Sequence, residues 1–406
     1  MVMSDIRPVL SALLRNRTGA ILVSLQVAIA LAVLVNAIYI VKQRVDLIGR
    51  PTGMDVANMF TVVSSGFTQD HDRLATARND LAWLRAQPGV VAATRTNAIP
   101  LSGGGSSTTI GSQPDTPNDK NVAINYFEVD EGGLETFGVK LAAGRNFRAE
   151  EIMPPDPNST KAPPTAIITK SVARALFGSE DAVGKVVYDS LNRPTTIVGV
   201  IDHMHGSWVT WDKVDQVALL PVTPSFGGDN LYIVRTAPGL RDETLRKVEE
   251  YLSTSDSTRM IRGVRPLEYY RDRSYLSDRN MAIFLVSITA LLAGVTALGI
   301  FALATFNVSI RTRQIGTRRA IGARRADIVR YFLVENWLVT TGGVLLGVAL
   351  AFGVGYWLST QYELPRLDLY YLLAGVLLLW ALGQAAAWQP SRRAARISPS
   401  VATRTV

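Results

Sequence analysis

The sequence predicts an α+β integral membrane protein: four transmembrane helices, with a large extracytoplasmic α/β insert of two subdomains between helices 1 and 2. Three observations predict it. Four stretches carry no Asp, Glu, Lys or Arg: 24 residues at 18–41, 31 at 280–310, 27 at 336–362 and 23 at 369–391. A hydrocarbon core of about 30 Å takes roughly 20 helical residues, so each stretch is long enough to cross. The polar segment 42–279 holds 27 Lys plus Arg against 29 Asp plus Glu, near −2, whereas the 406-residue chain as a whole is +8. That segment also alternates short β-rich runs with stretches of helical apolar spacing. With 48% hydrophobic and 19% charged residues, the chain is neither a soluble enzyme nor a disordered protein. It contains no cysteine, which excludes disulfides and thiol chemistry.

The positive excess is concentrated in short segments. Arg7, Arg15 and Arg17 precede the first span; Arg311, Arg313, Arg318, Arg319, Arg324, Arg325 and Arg330 lie between the second and third; Arg392, Arg393, Arg396 and Arg404 follow the fourth. The connection 359–368 has only Arg366, beside Glu363 and Asp368. Short basic segments stay in the cytoplasm. Both termini and 309–330 are therefore expected inside, and 42–279 and 359–368 outside. The arginines orient the spans and meet anionic membrane lipid; no nucleic-acid partner is expected.

In chain order, residues 1–18 form a cytoplasmic segment in which Ile6, Val9, Leu10, Leu13 and Leu14 recur at helical spacing, as in a helix lying on the membrane surface. The first span covers 19–41. Small-residue cleavage patterns at Ala28 to Ala30 and Ala30 to Ala32 sit mid-run, with Val33 to Val41 still apolar behind them, so an uncleaved signal anchor is expected. Its apolar phase continues through Val45 and Ile48 as a stalk that ends before Gly49 and Pro51.

The insert 42–279 carries an internal repeat. Strand 59–63, helix 72–86 with Leu74, Leu81 and Leu84 on one face, and strand 90–96 form one β-α-β unit. Strand 231–235, a helix at about 241–253 and strand 260–264 form another. One subdomain, about 51–99 and 226–267, is built from both ends of the insert, and a second occupies about 100–225. The latter holds the loops SGGGSS (102–107) and 154–164, the strand-helix run 166–178, and two β-rich runs, 183–201, around an Asn192-Arg193-Pro194 turn. Residues 268–279 lead into the second span, 280–310, as a return stalk. A helix at 311–327, spans at 328–358 and 369–389, and a cytoplasmic tail at 390–406 complete the chain.

No catalytic, cofactor-binding or metal site emerges. Gly184-Lys185 looks like the end of a phosphate loop, but Ser179 stands where the motif needs Gly and Val186 where it needs Ser or Thr. His203 and His205 could point to one side of a strand, yet the only other histidine is His71, and a solvated or hydrogen-bonded pair is the favoured reading. Asn158-Ser159-Thr160 matches a glycosylation acceptor by a pattern common by chance. Gly343, Gly347, Ala351 and Gly355 form a small-residue stripe suited to close helix packing, either within the chain or between subunits. Glu335 is ionisable near one end of the third span. It is either functional or the partner of a loop arginine.

The segment 309–336 (SIRTRQIGTRRAIGARRADIVRYFLVEN) is the most informative. Lipid binding does not need its paired Ile-Gly steps, Ile315-Gly316 and Ile321-Gly322. A short amphipathic helix with a small-residue edge suits docking in a protein cleft.

With this run, the glycine-rich span after it and the C-terminal SRRAARISPSVA, the chain resembles permeases of the MacB/FtsX-like ABC transporter family. LETFGVKLAAGRNF, AIITKSVARALFGSEDAVGKVV and TTIVGVI in turn resemble the MacB-type periplasmic core domain. The resemblance implies a permease subunit in the bacterial inner membrane, multi-pass, with both termini cytoplasmic, coupling ATP hydrolysis to periplasmic movement for efflux of a peptide, drug or lipid-like substrate. It implies a second permease, identical or paired, and an ABC ATPase carrying the ATP and magnesium, with none bound here directly. The ATPase is expected on a separate polypeptide. A periplasmic adaptor and an outer-membrane channel are further partners if the host is Gram-negative. The coupling residues would be Arg311, Arg313, Ile315, Gly316, Arg318, Arg319, Ile321, Gly322, Arg324 and Arg325. The chain would not be an enzyme by itself. A signalling scaffold of the FtsX kind, or a lipoprotein-releasing permease, shares the architecture.

Overall fold

A computed structural model describes residues 17–68, 71–154, 161–224, 228–362 and 368–398, in two units: residues up to Ile48 with those from Asp278 onward, and Gly49–Ser277. The expected surface helix before Arg17, the acceptor at Asn158, residues 363–367 of the connection 359–368, and the tail beyond residue 398 lie outside the described residues.

The first unit is helical: α1 (Arg17–Gly49), α7 (Leu276–Ile310), α8 (Thr312–Ala320), α9 (Arg325–Tyr362) and α10 (Leu369–Ala394). Among the described residues, four of these helices, all but α8, are long and apolar enough to cross a membrane. The 38 residues of α9 span roughly 57 Å, well beyond a hydrocarbon core, so its ends reach past the apolar stretch that marks it in the sequence.

Helix α1 is the core of this unit. Val23, Val27, Leu31, Leu34 and Val35 are buried against Val339, Val344, Ala351, Leu372, Val376 and Leu379. Small residues make that approach possible. A Cβ on Gly343 would lie 2.6 Å from the Ser24 carbonyl oxygen, one on Gly347 2.9 Å from the Leu31 Cβ, and one on Gly375 2.6 Å from a Val35 methyl. Lipid supplies no hydrophobic drive between helices, so close backbone approach carries the association. The Ser24 hydroxyl adds a hydrogen bond to the Val339 carbonyl at 3.0 Å. The glycine stripe is thus an intrachain seam at Gly343 and Gly347, with Ala351 buried beside them.

The second unit holds two sheets. Strands β1 (Met59–Gly66), β2 (Val90–Thr96), β10 (Asp229–Thr236) and β11 (Arg259–Pro266) form the first, in the order β11-β1-β10-β2 with every neighbour antiparallel. The two β-α-β units are therefore interleaved: each strand of one unit has a strand of the other beside it, as in a split βαβ fold. Helices α2 (Arg73–Arg85) and α5 (Arg241–Thr254) bury Ala77, Leu84, Val248 and Leu252 on Phe60, Val62, Tyr232 and Val234. Asp72 caps α2, its side chain accepting from the Leu74 and Ala75 amides at 3.0 and 2.9 Å. Only Leu84 of the three expected leucines is fully buried. Ala77 and Asp80 take the inner positions instead, and Leu74 is exposed.

Strands β3 (Ser107–Gly111), β4 (Val122–Glu128), β5 (Leu141–Gly144), β6 (Thr165–Thr169), β7 (Val186–Asp189), β8 (Pro194–Ile201) and β9 (Val217–Leu220) form the second sheet. Its order is β5-β8-β6-β9-β4-β3-β7, and β7 also pairs with β8, so the row closes on itself with β5 attached outside. Ile110, Ile124, Ile168, Val187, Ile197 and Val200 pack with Val172 of α4 (Lys170–Phe177). The β7–β8 hairpin turns through Asn192 at φ 59°, a left-handed conformation that asparagine tolerates. Two short helices, α3 (Gly133–Phe137) and α6 (Leu267–Ser274), complete the unit.

Candidate functional site

The Arg-rich segment folds as a short helix held against its own bundle. Helix α8 spans Thr312–Ala320, shorter than the helix expected over 311–327. Gly322 adopts φ 105°, which ends the helix, and the Asp327 carboxylate accepts from the Arg324 amide at 2.9 Å where α9 begins. The remaining residues of the segment thus belong to a turn and to α9.

Three attachments fix α8. Arg311, at its start, donates to the Glu335 carboxylate at 2.7 Å and to the Tyr331 hydroxyl at 3.2 Å, while Asn307 reaches the other Glu335 oxygen at 3.3 Å. Ile315 is buried among Ile328, Phe332, Ala394 and Ala395. Arg319 donates to the carbonyls of Ala395 and Ile397 at 3.3 and 2.7 Å, tying α8 to the end of α10. Arg318 lies over the Tyr331 ring, 5.0 Å from its centroid.

The ten residues singled out in the sequence therefore divide. Arg311, Ile315, Gly316 and Arg319 face the chain's own helices; Arg313, Arg318, Ile321, Gly322, Arg324 and Arg325 are exposed. Gly322 has nothing within 4 Å of where a Cβ would stand, so its requirement here is conformational. Ile321 is 82% exposed among these cations. An exposed apolar residue flanked in sequence by exposed arginines suits a cleft with an apolar floor and an acidic rim.

Other sequence signals have structural explanations. Gly184 takes φ 84° in the turn into β7, and the Lys185 ammonium sits over the Phe177 ring at 4.6 Å. His203 Nε2 bonds the Pro51 carbonyl at 2.7 Å, and the two imidazoles meet edge to face at 4.9 Å between centroids. His205 is buried, and burial, with the neighbouring His203, holds its pKa down at about 4. No cluster of three or more metal-ligating side chains occurs among the described residues.

Sequence reasoning passes over two buried arginines of the first sheet. Arg259 pairs with Asp80, whose carboxylate also accepts from the Tyr232 hydroxyl at 2.8 Å. Arg95, on β2, is buried, and burial lowers its pKa. Their one-dimensional signal is a charged residue inside an otherwise apolar or small-residue strand, which resembles a solvated edge position.

Comparison with known proteins gives a consistent assignment. The family model described as MacB-like periplasmic core domain matches residues 20–251, more than half of the chain, and that described as FtsX-like permease C-terminal matches 286–399. The macrolide export ATP-binding/permease protein MacB 1 of Yersinia pestis bv. Antiqua (strain Antiqua) is 26% identical over 410 residues, covering 96% of this chain and 58% of that protein. The macrolide export ATP-binding/permease protein MacB of Wolinella succinogenes is 30% identical over 255 residues, 58% of this chain and 38% of that protein. The solved periplasmic region of MacB from Actinobacillus actinomycetemcomitans is 16% identical, covers 52% of this chain and 91% of that one, and superposes with a TM-score of 0.33. The chain thus spans 58% or less of the length of these full-length relatives.

Proposed function

The chain belongs to the MacB-like periplasmic core domain family and carries an FtsX-like permease module, and from that premise we propose that it is the permease subunit of an ABC transporter that passes ATP-driven movement across the bacterial inner membrane. Both termini and α8 lie in the cytoplasm in this reading, supported by the concentration of arginine in those segments. An ABC ATPase, carrying ATP and magnesium, docks on the exposed face of α8. A second permease completes the dimer, and a periplasmic adaptor and outer-membrane channel receive the cargo, which is a peptide, drug or lipid-like molecule.

The observation that carries this reading is the division of α8 into a clamped face and an exposed face. Force applied to Ile321 and its arginines reaches α9 through Arg311–Glu335 and α10 through Arg319, because α8 is attached to both. The chain continues from α1 into the Gly49–Ser277 unit and returns from it through α7, so these two helices are the covalent routes for the movement. A shift of this kind requires the ATPase to bind α8 differently in its two nucleotide states.

The test is purification in mild detergent with mass spectrometry of what accompanies the chain, followed by the same experiment after deletion of 311–327. Retention of an ABC ATPase by the intact chain and its loss on deletion supports docking. Intact assembly with unchanged ATP-dependent movement after the deletion removes the reading.

A further inference from the structure

Within the Gly49–Ser277 unit one buried cation has no hydrogen-bond partner for its headgroup among the described residues. Arg95 is 4% exposed, and its three guanidinium nitrogens are buried without a hydrogen-bond partner among the described residues. A guanidinium stays charged, so it cannot escape this by losing a proton. The carboxylates around it do not complete it. Asp130 is occupied, accepting from the Arg85 guanidinium, from the Thr94 hydroxyl at 2.8 Å and from the Gly132 amide at 3.0 Å. Glu128 attracts Arg95 through space, but its Oε2 is itself buried without a partner, and burial pushes its carboxyl up towards the neutral form. Arg73 adds like charge nearby.

Arg95 lies in the wall of a cavity of about 490 Å³ lined also by Leu74, Ala77, Leu81, Arg78, Arg85 and Asp130. This volume falls in the range of small-molecule sites, about 300–1,000 Å³. Apolar side chains of α2 supply one surface. With Arg85 paired to Asp130, Arg95 and Arg78 leave the lining positive. The exposed Leu74 has its explanation here: it faces the cavity rather than the core of the sheet.

We propose that this cavity binds an organic anion with a compact hydrocarbon body, its single charged headgroup on Arg95 and its chain along Leu74, Ala77 and Leu81. The planar guanidinium offers a paired donor fork to a carboxylate or phosphate. Binding here goes beyond the coupling reading and needs neither ATPase nor nucleotide, so each can fail without the other.

The experiment uses the full chain in phosphatidylcholine nanodiscs and equilibrium dialysis of radiolabelled octanoate, octyl phosphate, octanol and acetate, with empty nanodiscs subtracted. Saturable binding of octanoate or octyl phosphate is expected, at least ten-fold weaker in Arg95→Gln and less weakened in Arg95→Lys, with octanol unaffected by either. Tighter octanoate assigns a carboxylate source and tighter octyl phosphate a phosphate monoester. Acetate should bind far more weakly than octanoate; equal binding overturns the hydrocarbon part of the site. Absence of saturable binding of both amphiphilic anions, or equal binding by Arg95→Gln, overturns the proposal. If Arg95→Gln does not fold, Leu81→Glu on half-exposed α2 places a carboxylate in the cavity and must abolish binding; unchanged binding there overturns it equally.

Discussion

Arg311 and Glu335, 24 residues apart, meet at 2.7 Å, with the carboxylate side chain only 4% exposed. The pair joins the start of α8 to α9 and gives Glu335, near that end of the third span, a definite partner. Removing one member of a buried pair strands the other charge, at a cost of about 3–5 kcal/mol. Glu335→Leu and Arg311→Leu are each expected to destabilise the solubilised protein on that scale. Arg311→Leu combined with Glu335→Leu should recover most of the loss. Equilibrium unfolding of the two single variants and the double one measures this coupling, and additive effects would show that the pair carries none.

Ile321 and Ile315 predict opposite phenotypes. Ile321 is exposed, so Ile321→Asp should change stability by less than about 0.5 kcal/mol while abolishing ATPase co-purification if α8 is the docking element. Ile315→Asp buries a charge among Ile328 and Phe332 and should lower the unfolding midpoint as well. Pull-down yield and thermal unfolding, measured on the same samples, separate the two.

The seam between α1 and α9 can be tested by adding volume. Gly343→Val places side-chain atoms where the Ser24 carbonyl and Val27 already stand and should cost about 1–3 kcal/mol. Gly353, on the same helix, has nothing within 4 Å of where an added methyl would stand, so Gly353→Ala should be neutral or slightly stabilising. Equal losses at both positions in an unfolding assay would contradict the seam.

His205 predicts a pH dependence with a definite sign. The unfolded imidazole takes a proton near its ordinary 6.5, whereas the folded one takes it only near 4. Stability from this residue is therefore complete above about pH 6.5 and lost as pH falls through about 4, about 3 kcal/mol in all. The slope between those limits should flatten in His205→Phe. Glu151, held at about 2 by its hydrogen bond from Arg145, loses stability only below the ordinary carboxylate range of about 4.5; the raised Glu128 carboxyl is common to both proteins, so the difference between their profiles from pH 6.5 to 4.5 reads the histidine. Identical pH profiles for the two proteins would reject the assignment.

Local chemistry made much of the architecture readable. The β-rich runs 59–63 and 90–96, the helical leucine spacing of 72–86 and the uncharged stretches depend on neighbours in sequence, and the corresponding strands, helix and long apolar helices form there. Pairings that depend on distant residues were not readable. That β1 lies between β10 and β11, or that β3 pairs with β7 to close the second sheet, is set by hydrogen bonds between segments whose side-chain patterns fit several neighbours. Within the Arg-rich segment, the pattern marked ten residues but not their division, because Arg319 finds its acceptors on the backbone of Ala395 and Ile397, 76 and 78 positions away. Arg95 was hidden for a related reason: its environment is made by α2 and by the loop after β4 rather than by its own strand.

The interleaved sheet sets a timetable for biogenesis. Among the described residues β1 pairs only with β10 and β11, so a nascent chain that has released β1, α2 and β2 still lacks every partner of β1. The strands of the closed sheet, all between residues 107 and 220, emerge in the meantime and can pair with one another first. Only when synthesis has passed Pro266 can the first-made and last-made strands zip together. Until then the early segment presents two naked strands to whatever chaperone meets the emerging chain.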